Sequence, residues 1–222
     1  MPNFEIAICP VTPYAQNCSL VWDKTSKRGA VIDPGGDVAR LLDVIGELGL
    51  VIEKIVLTHG HIDHAGGAAE LREALQAKSS ASGGTGIVPI EGPHIADKFL
   101  LDDLAKQGAR VGIQGARPVT PDLWLEEGGT LDIAGQTYSI LHCPGHTPGS
   151  LVFVNAEARL AFVGDVIFRG SVGRTDFPYG DSEALIKAIT DKLLPLGDDL
   201  TFICGHGEPS TIGEERQSNP FL

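Results

Sequence analysis

The chain has 222 residues, 42% of them hydrophobic, and a formal net charge of −12. That is enough for one large domain or two small ones with a full core. The acidic balance excludes extended contact with a nucleic-acid backbone, and it means that an anionic ligand must meet local positive charge or a metal. The start, Met1 to Glu5, has no basic or strongly apolar stretch, and no run approaches the roughly 18 apolar residues of a membrane span. The sequence therefore predicts neither a secretory leader nor a membrane partner. Cys9, Cys18, Cys143 and Cys204 form no C-x-x-C pair and read as buried, reduced thiols of a cytoplasmic protein, with a reactive role as the alternative for Cys143 and Cys204, which lie near candidate ligands.

Residues 4–8 and 18–22 read as strands on either side of the turn-rich Pro10-Val11-Thr12-Pro13, and Gly29 to Ile32 as a third. The third stops at Asp33-Pro34-Gly35-Gly36, a turn signal. Asp33 is either an ordinary turn aspartate or a support for the ligand cluster that follows. Apolar residues at 38, 41, 42, 45 and 48 predict a helix with Asp37 as its N-cap and Gly49 as its stop. A strand at 52–57 then delivers Thr58-His59-Gly60-His61-Ile62-Asp63-His64, with a helix predicted from Ala65 to Ala77.

Three imidazoles and a carboxylate within this short stretch suit zinc, iron and similar divalent metals. On a helix His59 and His61 would point about 200° apart, so these side chains have to converge from a loop. A single histidine is usually solvated or a satisfied core residue; the whole H-x-H-x-D-H string does not arise that way.

The polar run 78–86 reads as an exposed loop, after which the pattern resumes at Ile87-Val88-Pro89-Ile90. A helix is predicted over 93–107, with His94 at its start as a solvated residue or a pocket wall. From residue 123 the texture is β-rich, with short strands at 131–133, 137–141, 151–154 and 159–163, a helix at 182–193, a strand at 200–204 and a last helix at 211–217. No fixed-period repeat is present. The order suggests two α/β halves packed sheet to sheet.

Three later segments each place a metal-ligand residue among glycines after an apolar strand. They are Leu141 to His146, Phe162 to Asp165 and Phe202 to Gly207. With the first cluster they bring together five histidines and two aspartates, enough for two metals with open positions. His142 reads as a core or supporting residue, and Asp176 as a supporting or solvated one.

T-H-G-H-I-D-H, P-G-H-T-P-G and the later G-D and G-H-G, in this order, resemble the metallo-β-lactamase superfamily over essentially the whole chain. The resemblance implies an α/β, four-layer αββα sandwich, a single domain over residues 1–222, and a metal site at one edge. Gly164 to Phe177 (GDVIFRGSVGRTDF) and the ending Asn219-Pro220-Phe221-Leu222 are similar to the short bacterial type II glyoxalases, the hydroxyacylglutathione hydrolases. By that resemblance His59, His61 and His146 hold one divalent ion, Asp63, His64 and His206 hold a second, and Asp165 bridges. Zinc is the expected metal, with iron or manganese as alternatives.

Arg174 stands where the family places a basic residue against glutathione; otherwise it is a surface arginine in a salt bridge. Two features depart from the longer family members. The C-terminal helical domain that completes their glutathione site has no counterpart, and Asp176 replaces a tyrosine. The implied chemistry is attack on an S-acylglutathione thioester by a hydroxide formed between the metals, with Asp63 as ligand and proton carrier. The alternative is a glutathione-dependent persulfide dioxygenase with one iron on His59, His146 and Asp165. A non-catalytic binding protein with a degenerate site is disfavoured because every ligand position is filled. Monomer and homodimer both remain open.

Overall fold

Residues 3–81 and 86–222 are described by the computed structural model. The first half runs β1 (Phe4–Val11), β2 (Gln16–Asp23), β3 (Arg28–Ile32), α1 (Val38–Glu47), β4 (Val51–Val56), α2 (Ile62–Ala65), α3 (Ala68–Ala81) and β5 (Ile90–Glu91). A 3₁₀ turn (Ile95–Asp97) leads into α4 (Lys98–Asp102) and α5 (Leu104–Val111). The second half runs β6 (Thr130–Ile133), β7 (Gln136–His142), β8 (Leu151–Asn155), β9 (Leu160–Gly164), β10 (Ile167–Phe168), β11 (Ser171–Val172), α6 (Ser182–Ala188), β12 (Thr201–Cys204), β13 (Ser210–Thr211) and α7 (Ile212–Ser218).

One large sheet has the order β1-β2-β3-β4-β5 and a second β13-β12-β9-β8-β7-β6, while, among the described residues, β10 and β11 pair only with each other. Side-chain alternation explains how the two large sheets stack. In β8, Leu151 and Phe153 pack with Val21, Ile32 and Val56 of the first sheet. Val152 and Val154 pack the other way, with Leu185, Ile189 and Ile212 of the outer helical layer. Val31 and Ile55 face Leu41, Ile45 and Leu71 of α1 and α3 on the far side. The result is the four-layer αββα sandwich. No helix among the described residues is long and apolar enough to cross a membrane.

Several local expectations change. The helix predicted from Ala65 begins earlier, at Ile62, and breaks at Gly66-Gly67, where Gly67 N–H donates to the Pro34 carbonyl (2.9 Å). Its second part continues through residues 78–81, so the predicted polar loop is helical there; residues 82–85 lie outside the described ones. The helix predicted over 93–107 is three short pieces, because Asp97 turns inward at the first joint and is fully buried. The predicted 182–193 helix ends in a π turn at Ile189–Leu193. Asp37 holds the N-cap position in a left-handed conformation (φ 50°), but makes no cap bond. Its carboxylate accepts from the Thr12 N–H instead (2.8 Å).

The strand ends that matter meet along one edge. Parallel pairs β3/β4 and β9/β12 send Asp33, Thr58, Asp165 and Gly205 out on the same side. Leu151 N–H to the Thr58 carbonyl (2.9 Å), Asn17 N–H to the Gly205 carbonyl (2.7 Å) and Gly205 N–H to the Gly164 carbonyl (2.8 Å) lock these ends together.

Candidate metal centre

His59 follows β4 in a loop, His61 is the N-cap of α2, and Asp63 and His64 lie in its first turn. A short loop and one helical turn thus share the work that the sequence assigns to a loop alone. His146 comes from the β7–β8 loop, Asp165 follows β9 and His206 follows β12.

Ring nitrogens converge at the edge. His61 Nδ1 lies 3.2 Å from His59 Nε2 and 2.9 Å from His146 Nε2. Close by, His206 Nε2 is 3.2 Å from Asp63 Oδ2. Asp165 spans the two groups: Oδ1 is 3.2 Å from His64 Nε2, while Oδ2 is 3.5 Å from His146 Nε2 and 3.6 Å from His206 Nε2. The trio His59, His61 and His146 and the trio Asp63, His64 and His206 each present one ligand atom per residue, all within 4.8 Å of one another. His64 Nε2 and Asp165 Oδ1 are buried and complete no hydrogen bond. Unpaired buried polar atoms of this kind are costly; here both belong to residues that could hold a cation.

The far side of each ring explains why the near side is free. His146 Nδ1–H donates to the Arg174 carbonyl (2.8 Å) and His206 Nδ1–H to the Tyr14 carbonyl (3.2 Å). A carbonyl only accepts, so the proton of the neutral ring sits on Nδ1 and Nε2 carries a lone pair. His64 Nδ1–H donates to Asp33 Oδ2 (2.9 Å). Asp33 also accepts from the Thr58 N–H (2.7 Å) and hydroxyl (2.5 Å), and that hydroxyl lies 3.1 Å from His59 Nδ1. Asp33 therefore supports the cluster from behind and is not a plain turn residue. His61 is the one ring reversed: its Nε2 bonds Tyr179 Oη (2.8 Å), leaving Nδ1 inward. Groups of this sort orient metal ligands and fix their tautomers. The donor set and its orientation fit divalent metals.

Charge divides the cluster. Burial holds His59 and His146 low and takes His61 down to about 3, so these rings stay neutral. Burial also opposes charge on His64 and His206, but Asp165 and Asp63 outweigh it and raise both. Burial likewise works to raise Asp63 and Asp165; the charge on His64 and hydrogen bonds from the imidazoles outweigh it, and both carboxylates are held below their usual range. The two carboxylates thus favour positive charge beside them, which a proton or a metal ion supplies in competition.

The remaining sequence candidates fall outside the cluster. His142 Nε2–H donates to the Pro148 carbonyl (2.7 Å), and its ring stacks on His94 at 4.3 Å. His94 caps the 3₁₀ turn by accepting from the Ala96 N–H (3.2 Å). The Arg174 guanidinium is exposed, lies over the Phe177 ring (4.6 Å) and grips Asp176 with two bonds of 2.6 and 2.7 Å. Cys143 and Cys204 are buried, and burial pushes their thiols up to about 12 and about 11, which makes both poor nucleophiles.

Sequence reasoning missed Tyr179 and the wall it belongs to. Phe177 stacks on Tyr179 (5.3 Å) and faces His61 (5.0 Å), and Phe99 packs on Tyr179 (5.2 Å). The available signal was Phe177-Pro178-Tyr179 directly after the glycine-containing segment.

The model of the metallo-beta-lactamase superfamily matches residues 11–206. A Haemophilus influenzae protein, hydroxyacylglutathione hydrolase GloC, is 47% identical over 219 residues, covering 98% of each chain. The crystal structure of the BLEG-1 B3 metallo-beta-lactamase superposes with a TM-score of 0.84 at 32% identity, covering 98% of this chain and 99% of that one. A crystal structure of TTHA1623 in a di-iron-bound form gives a TM-score of 0.83 at 34% identity, covering 97% and 100%.

Proposed function

The chain belongs to the metallo-beta-lactamase superfamily, and from that premise we propose that it is a metal-dependent thioester hydrolase that cleaves S-acylglutathiones, such as S-lactoylglutathione, to a hydroxy acid and glutathione. The observation that carries the substrate class is the 47% identity, over nearly its full length, to a hydroxyacylglutathione hydrolase. Supporting the reaction class is the convergence of five inward ring nitrogens and two ionised carboxylates. In this reading residues 1–222 act as one domain.

His59, His61 and His146 would hold one divalent ion and Asp63, His64 and His206 the other, with Asp165 shared between them. Zinc is the proposed metal; iron and manganese also suit the donor set. Such a pair supplies Lewis acidity, making water a nucleophile at neutral pH and polarising the thioester carbonyl. The residues supply the rest. The carbonyls of Arg174 and Tyr14, Asp33 and Tyr179 hold the rings in register. Asp63, whose side chain is 15% exposed, is the group placed to carry a proton between the centre and solvent. Phe177, Tyr179 and Phe99 wall the mouth, and Arg174 beside them offers a guanidinium to a glutathione carboxylate once it leaves Asp176. Hydrolysis breaks the C–S bond; the water oxygen ends in the acid and the sulfur leaves as thiol.

The competing reading places one iron on His59, His146 and Asp165 and oxidises a glutathione persulfide. His146 and Asp165 do approach within 3.5 Å, a two-histidine, one-carboxylate arrangement that such chemistry uses. Metal content of protein purified without added metal, together with thiol release from S-lactoylglutathione, tests the proposal. Two ions per chain and thiol release support it. One iron per chain, oxygen uptake with a persulfide and an inert thioester would sink it.

A further inference from the structure

Asp97 is fully buried, at the joint between the 3₁₀ turn and α4, outside both ligand trios. Its Oδ2 accepts from the Gly60 N–H (2.8 Å) and from the Thr147 hydroxyl (2.8 Å), and its Oδ1 from the Gly149 N–H (2.6 Å). Gly60 lies between His59 and His61. Thr147 follows His146, and Gly149 closes the same loop. One carboxylate therefore ties a loop that leaves the first sheet to a loop that leaves the second. These two loops carry all three members of the histidine trio.

We propose that Asp97 is a positioning residue for the His59–His61–His146 ion: its carboxylate clamps the two loops so that the three ring nitrogens meet. The inference rests on the reading of that trio as a metal subsite. Three further observations support it. A Cβ at Gly149 would sit 2.6 Å from Asp97 Cγ and 2.7 Å from its backbone nitrogen, and one at Gly60 would sit 2.8 Å from Leu100 Cβ. Neither glycine has a positive φ, so close approach to this element, not turn geometry, calls for glycine at both places. Burial pushes the Asp97 carboxyl up to about 6, while the three donors aimed at its two oxygens favour the ionised form. Charged acceptors make the stronger hydrogen bonds. Lastly, the other trio is held differently. Asp33 bonds His64 and the Tyr14 carbonyl bonds His206, while Asn17 Nδ2 donates to the carbonyls of Cys204 (3.0 Å) and Gly207 (2.8 Å). Loss of the clamp should therefore act on one subsite and spare the other.

The test uses Asp97→Asn, which keeps the shape but turns an NH₂ toward donors. Zinc affinity of the metal-free full-length chain is measured by competition with a chromophoric chelator, in two backgrounds. With His206→Ala only the histidine trio is intact, and Asp97→Asn should weaken zinc by roughly 10–100-fold, the usual effect of removing a group behind a metal ligand. With His146→Ala only the other trio is intact, and the change should stay within about threefold. Circular dichroism confirms the fold, and Thr147→Val, which removes one of the three bonds, should give a smaller loss with the same selectivity should Asp97→Asn fail to fold. Equal losses in both backgrounds, or no loss in the first, would overturn the proposal while leaving the metal reading intact. If zinc binds no tighter to the wild-type chain than to the chain with both His146 and His206 replaced, the metal reading itself fails and the clamp with it.

Discussion

Gly205→Ala removes no ligand, yet it should disable the site. A Cβ built at Gly205 would lie 2.0 Å from Asp165 Oδ1 and 2.6 Å from His64 Cε1. Carbon and oxygen in contact stay roughly 3.3 Å apart, so something must yield by about 1.3 Å. The backbone cannot give easily, because Gly205 N–H donates to the Gly164 carbonyl (2.8 Å) and its own carbonyl accepts from Asn17 (2.7 Å). Nor does the methyl meet conformational strain, since φ at Gly205 is not positive. The Asp165 carboxylate, shared between the two proposed ions, is what has to move. A misplacement of about 1 Å can cost on the order of 100-fold in rate, while overpacking costs about 1–3 kcal/mol of stability. The expected result is a loss of at least about 100-fold in kcat/KM for S-lactoylglutathione, with lowered metal content and a folded protein by circular dichroism. A variant that holds two ions and keeps kcat/KM within about threefold would refute the placement of Asp165 at the heart of the centre.

Asp165→Ala should strip most bound metal and the activity together; metal stoichiometry reads it, and a fully metallated active variant contradicts it. His206→Ala should drop the chain from two ions to about one, because His206 belongs only to the second trio, and two retained ions with normal turnover would exclude it as a ligand. Arg174→Ala should raise KM for the glutathione thioester at unchanged metal content, whereas a small uncharged thioester should be hydrolysed as by the wild type. Asp176→Ala frees the guanidinium from its two-bond pair and should lower that KM; an unchanged value would mean that Arg174 is a surface residue and nothing more.

The candidate ligands stand out in the sequence because metal chemistry is written in a few residue types. The H-x-H-x-D-H string and the three glycine-flanked residues after apolar strands are local patterns, and the strand-end rule brings them to one edge. What stayed hidden arises only when distant segments meet. Asp97 sits in a stretch with ordinary helical periodicity, and its inward turn is decided by donors at Gly60, Thr147 and Gly149, none of them its neighbours in sequence. Tyr179 likewise acquires its role by reaching His61 across the mouth. Asp37 carries the residue type of an N-cap, yet the Thr12 N–H competes successfully for its carboxylate. Residues 78–81 show the limit of reading serines as loop, since the good helix formers before them (Leu75, Gln76, Ala77, Lys78) carry α3 onward. The split in proton affinity across the cluster was also beyond the sequence, since it depends on which imidazole faces which carboxylate.

In the proposed reading two divalent ions, held by these seven residues, make this chain a thioester hydrolase. Titrating the metal-free protein with zinc under anaerobic conditions, while following cleavage of S-lactoylglutathione, tests it most directly. Hydrolysis should rise with added zinc and level off at two equivalents per chain, with no need for oxygen. No thioester cleavage at any zinc level, with turnover appearing only when iron, oxygen and a glutathione persulfide are supplied, would contradict it.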